Sequence, residues 1–478
     1  MKKIYYTILA CILLITTSCS DWLDINTDPN KATEVEPEVL YNFAMASWAG
    51  NRCSGDNYIP IGFAAQTMST GGNKGWGNVN VYDISPYSIG NTWKALYASA
   101  GANLKQVIAL AESSDPVKPN IAAQAKIAFA QAIYSATILY GDIPYSEAWD
   151  ITIDAPKFDS QQDIFNELIS VLDEAIAQID VNDSFKMTTY DLAYGGDMDK
   201  WIRYANSLKF RIAMLMVDKD SSKTALVASL LQEGKMINSA TGNYTFPFED
   251  TSGKENPKFK MIKQYMNEVN LEFFANKSVL DPMKEKNDPR LPKYFDKGKD
   301  ATEYIGTGTN EEGVEGQSAM ISFYLFRPAA PELFFSYQEQ LFLEAEAYAR
   351  GLGVSVDLAK ANELYKSALV AAMKYYEAEQ ADIDTYLANN LTDLTKIDDP
   401  VKEIHLQQWI DLMDRPLDAF TQWRRSGKEG QEVPTLTVPR NANPSTLMRK
   451  WIYSPDEATA NPNTPQDDYM TNNVWFDE

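Results

Sequence analysis

Side chains able to do acid, base or metal chemistry are unevenly supplied in this chain. There is one histidine, His405, in Glu403-Ile404-His405-Leu406-Gln407-Gln408-Trp409. A single imidazole excludes multi-histidine metal sites, and its helical setting predicts a packed or surface role. Carboxylates are plentiful, with 66 Asp and Glu. A glycosidase needs two of them converging across one bond. Neighbouring pairs such as Asp142/Glu147 and Glu344/Glu346 arise by chance at this density, so they read as solvated faces. Phosphate-loop, His-Glu-x-x-His and Gly-x-Ser-x-Gly patterns are absent from the sequence. The run Gly71-Gly72-Asn73-Lys74-Gly75-Trp76-Gly77 is glycine-rich but lacks phosphate-loop spacing.

Binding chemistry is better represented. Aromatics make up 12% of the chain, including 10 Trp and 26 Tyr. Rings stack on the apolar C–H faces of sugars, while amides, carboxylates and guanidiniums bond hydroxyl edges. The segment 71–91 offers Trp76, Asn78, Asn80, Tyr82, Asp83 and Tyr87; a second segment, 304–327, offers Tyr304, Gln317, Phe323, Tyr324 and Arg327. The alternative for both is that the aromatics close a loop onto the body. Asp24, Asn26, Asp28 and Asn30 alternate like calcium-loop ligands. Pro29 stands where the turn glycine belongs and Val35 where the closing Glu belongs, which favours a string of Asx-turns over a metal site. No cofactor is expected.

The N-terminus supplies an address. Met1-Lys2-Lys3 precedes an uncharged stretch to Ser18 and then Cys19, the pattern of an export signal. Leu14-Ile15-Thr16-Thr17-Ser18-Cys19 is similar to the lipobox of bacterial lipoproteins, in which the Cys becomes the lipidated first residue; an ordinary cleaved signal is the alternative. Of three cysteines, Cys11 leaves with the signal and Cys53 has no partner, so no disulfide framework is expected. Membrane attachment is expected through the lipid alone. The formal charge of −23 repels phosphate backbones and argues against nucleic acid as a partner.

These residues have to be positioned mostly by helices. Residues 1–18 read as the signal, 19–36 as a polar tether and 37–478 as one domain. Helical periodicity marks 38–48, about 91–112, 120–140, 160–179, 198–217, 338–350 and 357–378. Ser160 with Asp163 opens one helix like a capping box. Residues 69–91 read as a loop, and 240–330 as a loop-rich insert with short strands or helices. The Pro/Asn-rich end reads as an irregular tail folded onto the body. Ala345, Ala347, Gly351, Ala361, Tyr365 and Ala368 have the small-and-aromatic spacing of tetratricopeptide helix pairs, with 122–140 and 160–179 a weaker second pair.

Six ordered stretches resemble the SusD/RagB family of outer-membrane nutrient-binding lipoproteins, SusD-like branch. They are Cys19 to Asn30, Gly196 to Arg211, Asp288-Pro289-Arg290, Glu344 to Arg350, Ile404 to Trp409 with Ala419 to Gly427, and a tail set of Val438-Pro439-Arg440, Arg449 to Glu457 and Asn473 to Asp477. The resemblance implies a mostly α fold of tetratricopeptide-like helix pairs carrying a loop-rich ligand face. It implies a lipid anchor at Cys19 in the outer membrane of a Gram-negative cell, with the protein exposed at the surface. It also implies non-catalytic capture of a nutrient, most often a glycan, for a SusC-like TonB-dependent barrel. The ligand residues expected on that face are Trp76, Asn78, Asn80, Tyr82, Tyr304, Tyr324 and Arg327. Trp201, Asn206, Lys209 and Arg211 belong to scaffold motifs and are expected in core packing and buried charge pairs. Peptide binding on the same architecture, a lipid-anchored glycoside hydrolase and a helical-repeat adaptor are the competing readings.

Overall fold

The computed structural model describes residues 35–70, 78–266, 270, 272–389, 392–443 and 445–477. The lipidation candidate Cys19, the calcium candidates Asp24, Asn26 and Asp28, and Trp76 lie outside them.

Helices dominate, and their starts follow from local chemistry. In the first half come α1 (Pro37–Arg52), α2 (Tyr58–Ala64), strand β1 (Met68–Thr70), α3 (Pro86–Lys94), α4 (Ala102–Ser113) and α5 (Pro119–Tyr140). Strands β2 (Ile143–Pro144) and β3 (Phe158–Asp159) then precede α6 (Gln161–Gln178), α7 (Met198–Met216) and α8 (Thr224–Glu233). Ser160 caps α6 by accepting from Asp163 N at 3.1 Å, as its sequence predicts. The segment 69–91 is not the single loop its glycines suggested. Residues 68–70 pair with another strand, 79–81 form a 3-10 turn, and α3 begins at Pro86, several residues early. Ser85 caps that helix and a proline at its first position needs no N–H partner. Between α3 and α4 the helix continues as a π-helical stretch, Ala95–Gly101. A Cβ on Gly101 would meet Trp149 at 2.5 Å, so glycine lets that indole seat against the helix.

The middle third is short elements on this helical frame, as its composition predicts. It holds β4 (Tyr244–Phe246), α9 (Pro257–Met266), β5 (Phe273–Ala275), α10 (Lys277–Glu285), α11 (Leu291–Tyr294), β6 (Phe295–Asp296), β7 (Met320–Ile321) and β8 (Glu332–Phe335). An antiparallel sheet of order β1-β5-β7-β6 joins Met68 to Ala275, Phe274 to Met320 and Phe295 to Ile321; β4 pairs with β8, and β2 with β3.

The last third brings α12 (Tyr337–Arg350), α13 (Leu358–Tyr375), α14 (Gln380–Leu387), α15 (Pro400–Asp411), α16 (Pro416–Arg424) and α17 (Pro455–Ala460). Here the tetratricopeptide-like pair is α12 and α13. Gly351 ends α12 in the left-handed region at φ 72°, and Asp357 caps α13. Phe342, Ala345, Ala361, Tyr365 and Ala368 are buried together with Ile404 of α15 in a core of their own. A larger core runs from Tyr41 of α1 to Phe476 in the tail, so the irregular C-terminus is packed into the body.

Beneath both cores lies a network of buried charges. Arg52 of α1 binds Glu332 of β8 and, at 2.8 Å, Asp418 of α16. Glu339 of α12 accepts from Arg211 Nε at 2.7 Å and from Arg415 at 2.8 Å. Asp411 faces Arg415 at 3.8 Å and Arg290 at 3.9 Å, and Arg290 grips Asp288 at 2.7 and 3.0 Å. Glu346 corrects the sequence expectation of a solvated acid. It is fully buried, with Arg425 at 2.6 Å, Arg350 at 2.7 Å and His405 at 3.2 Å. Two guanidiniums and an imidazole nitrogen around one carboxylate offset the cost of burying it.

Candidate ligand cleft

The turn after α1 shows how the fold builds a surface site on buried charge. Arg52 is fixed by Glu332 and Asp418. The next residue, Cys53, is buried and donates its thiol to Glu332 at 3.0 Å; burial pushes that thiol well up from its ordinary value, so it is a packing residue and not a nucleophile. Tyr58 OH donates to Asp414 at 2.8 Å, and Lys258 of α9 donates to the same carboxylate at 2.7 Å while lying 5.1 Å from the Tyr58 ring centroid. Asp56, at the tip of the turn, accepts from Ser88 Oγ and Asn91 Nδ2, both at 2.9 Å, which ties the turn to α3.

Between these fixed parts opens a cleft of about 490 Å³. Ser54, Asp56 and Pro60 form one wall, Val79, Ser85 and Ser88 another, and Pro257, Lys260, Gln264 and Tyr265 of the α9 region the third. Tyr265 is 66% exposed, and Tyr87, beside Ser88, is 83% exposed. Rings held in water at the edge of a hollow lined by hydroxyls, an amide and a carboxylate are suited to sugars, whose faces are apolar and whose edges are hydroxyls. Asp56, the carboxylate among the described lining residues, accepts two hydrogen bonds that fix its orientation in the wall.

The residues chosen from sequence are distributed unequally. Asn78 is exposed and Asn80 half-buried, on either side of the cleft-lining Val79. Trp76 precedes them in the chain but lies outside the described residues. Tyr82 is 5% exposed and packs into the core, which corrects its assignment to an open face: the 3-10 turn ends at Tyr82 in the left-handed region, φ 69°, and its ring joins the main core. Tyr304, Tyr324 and Arg327 do not line this cleft. Arg327 lies 4.1 Å and Lys293 4.8 Å from the Tyr324 ring centroid, and Lys297 lies 5.0 Å from that of Tyr304. The Tyr304 carbonyl accepts from Lys284 at 2.8 Å. Cations already lie over these rings. His405 is 3% exposed, its Nδ1–H donating to Ser426 O at 3.1 Å and its Nε2 lying 3.2 Å from Glu346, so it is a packed histidine.

Sequence reasoning missed Tyr265. It lies on an amphipathic helix whose Phe259, Ile262 and Met266 are buried, and nothing in the periodicity marks one tyrosine of that helix as a cleft residue. Among the described residues no group of acids, histidines and cysteines is arranged to hold a metal. No helix among them is long and apolar enough to cross a membrane.

Comparison with known proteins follows the architecture. The family model SusD-like_2, described as "Starch-binding associating with outer membrane", matches residues 29–453. No curated protein matches the chain. Among solved structures, a chitin-binding protein superposes with a TM-score of 0.79 at 24% identity, covering 92% of this chain and 99% of its own. A chitin-binding SusD homologue from Flavobacterium johnsoniae gives 0.77 at 18% identity, covering 93% and 99%. A SusD/RagB family protein from Bacteroides thetaiotaomicron gives 0.74 at 21% identity, covering 93% and 99%.

Proposed function

The chain belongs to the SusD-like family, and on that premise we propose that it is a non-catalytic outer-membrane lipoprotein that captures an oligosaccharide in the cleft beside Val79. In this reading residues 1–18 are a signal, Cys19 carries the lipid, and the captured glycan passes to a SusC-like TonB-dependent barrel. The observation that carries the binding role is the cleft itself: exposed Tyr265 set against the hydroxyls and carboxylate of Ser54, Asp56, Ser85 and Ser88. Asn78 and Asn80 contribute from the rim, and Trp76, two residues before Asn78 in the sequence, is proposed as a ligand residue on its side-chain chemistry alone. Tyr304, Tyr324 and Arg327 are assigned to loop closure, given their cation contacts. Two of the structural neighbours are chitin-binding by name, and the family description names starch, so chito- and malto-oligosaccharides are the first probes. Binding measured by affinity electrophoresis and calorimetry, with reducing-sugar release followed in parallel, tests the reading. Binding without release is expected; release of sugar by the purified protein would instead make it a lipid-anchored glycoside hydrolase.

A further inference from the structure

The start of α9 borders more than one hollow. Pro257 and Lys260 also line a second hollow of about 530 Å³ on their other side. Its floor is one stripe of α1, Asn42, Ala46 and Gly50, spaced four residues apart and spanning about 12 Å of helix. Ala46 and Gly50 have almost no side chain, so the stripe leaves a trough above the helix. The facing wall is Tyr190, Leu192, Phe246 and Phe248, with the two phenylalanine rings edge to face at 5.3 Å. Tyr190 and Leu192 are 40% and 43% exposed. Lys260, whose Nζ donates to Gly253 O at 3.3 Å, stands on the boundary and touches both hollows. The first hollow sets hydroxyls and Asp56 among Ile59, Val79 and Met261; the second sets an aromatic wall beside Glu249, Lys254 and Glu255.

We propose that the two hollows are one groove and that the second lobe takes the continuation of the same oligosaccharide, so that the protein binds a chain and not a single sugar end. The occupant follows from continuity: the lobes share two residues. Together they come to about 1,020 Å³, just past the usual upper end for a small-molecule site and more than one or two pyranoses fill. Successive pyranoses present apolar faces, which Phe248, Tyr190 and Leu192 can cover, while the first lobe bonds hydroxyl edges. This inference rests on the saccharide reading of the first lobe.

The test is calorimetric titration of the full-length protein in detergent with chitobiose, chitohexaose, maltose and maltohexaose. The expected result is a hexaose of one series that binds at least tenfold tighter than its biose. Phe248→Ala, and separately Ala46→Arg, which fills the trough from its floor, should abolish that advantage and leave biose affinity unchanged. Tyr265→Ala should weaken both lengths. A hexaose advantage that survives both lobe variants, or equal affinity for the two lengths, overturns the second lobe while leaving the first intact. Binding that is indifferent to Tyr265→Ala overturns the cleft reading instead, and no binding to any of the four probes overturns both.

Discussion

The buried charge network and the ligand cleft meet at one turn, Arg52 to Asn57, and otherwise put polar side chains to opposite uses. In the network, Arg52, Arg211, Arg290 and Arg415 are 0–5% exposed and each faces at least one carboxylate. In the cleft, hydroxyls, an amide and the exposed Tyr265 line a hollow open to water, and Asp56 accepts from Ser88 and Asn91. Removing a partner in the network leaves a charge stranded in low dielectric, so each position tolerates little change. A cleft residue can change with modest cost to folding, because its environment is already solvent. Four of the stretches that carry the family resemblance reach into the first region: Arg211, Asp288, Arg290, Glu346 and Arg425 all sit in buried ion pairs. Such motifs identify the fold and are silent about the ligand.

The comparison is broken if network and cleft variants behave alike. Arg211→Ala leaves Glu339 short of one of its two cations and should cost about 3–5 kcal/mol of stability, read as a lower denaturant midpoint. Glu346→Gln should cost a comparable amount at neutral pH and should also change the pH profile. Burial pushes the Glu346 carboxyl up, but Arg425, His405 and Arg350 outweigh it and hold it well below the usual range. Its contribution is therefore present above the ordinary carboxylate value near 4.5 and lost as pH falls below it, and the variant should lack that acid-side loss. Asp411 has the opposite sign. Burial, only partly offset by Arg415 and Arg290, raises it to about 6. The Asp411 contribution to stability should thus decline as pH rises from about 4 to 6, and urea titrations of wild type and Asp411→Asn at several pH values should show that decline as their difference.

Cleft changes sit lower on the scale. Tyr265→Ala should weaken oligosaccharide binding by about 1–2 kcal/mol, the size of a stacking contact, with an unchanged thermal midpoint. A shifted midpoint with unchanged affinity would make Tyr265 a packing residue. The smallest effect expected is that of Ser160→Ala, about 1 kcal/mol of stability from a lost helix cap, with no change in binding. It sharpens the comparison by showing what an exposed, purely local contact contributes.

Much of the helical frame was legible. The 3.6-residue periodicity of α5, α6, α7, α12 and α13 set their extents to within a few residues, and Ser160 and Gly351 marked ends through local hydrogen bonding and backbone conformation. The segment 69–91 was misjudged because its glycines outweighed the Ser85-Pro86 helix start. The site was less legible. Tyr87 and Asn78 were on the page as loop residues, but Tyr82 looked the same and is buried. Composition cannot separate them, since the difference is which way the chain turns at Val79–Val81.

The sequence by itself determined the class of fold, the family and the scarcity of catalytic groups, because periodicity, capping and residue inventory are local or additive properties. Only the tertiary structure decided that Glu346 is a buried counter-ion and not a solvated acid, that His405 is packed against it, and that Tyr265 meets Asp56 and Ser88 across a cleft. Each of those facts depends on residues far apart in the chain being brought within a few ångströms. The forces that bring them together, burial of the shared core and pairing of charges inside it, belong to the whole chain and are written in no single segment.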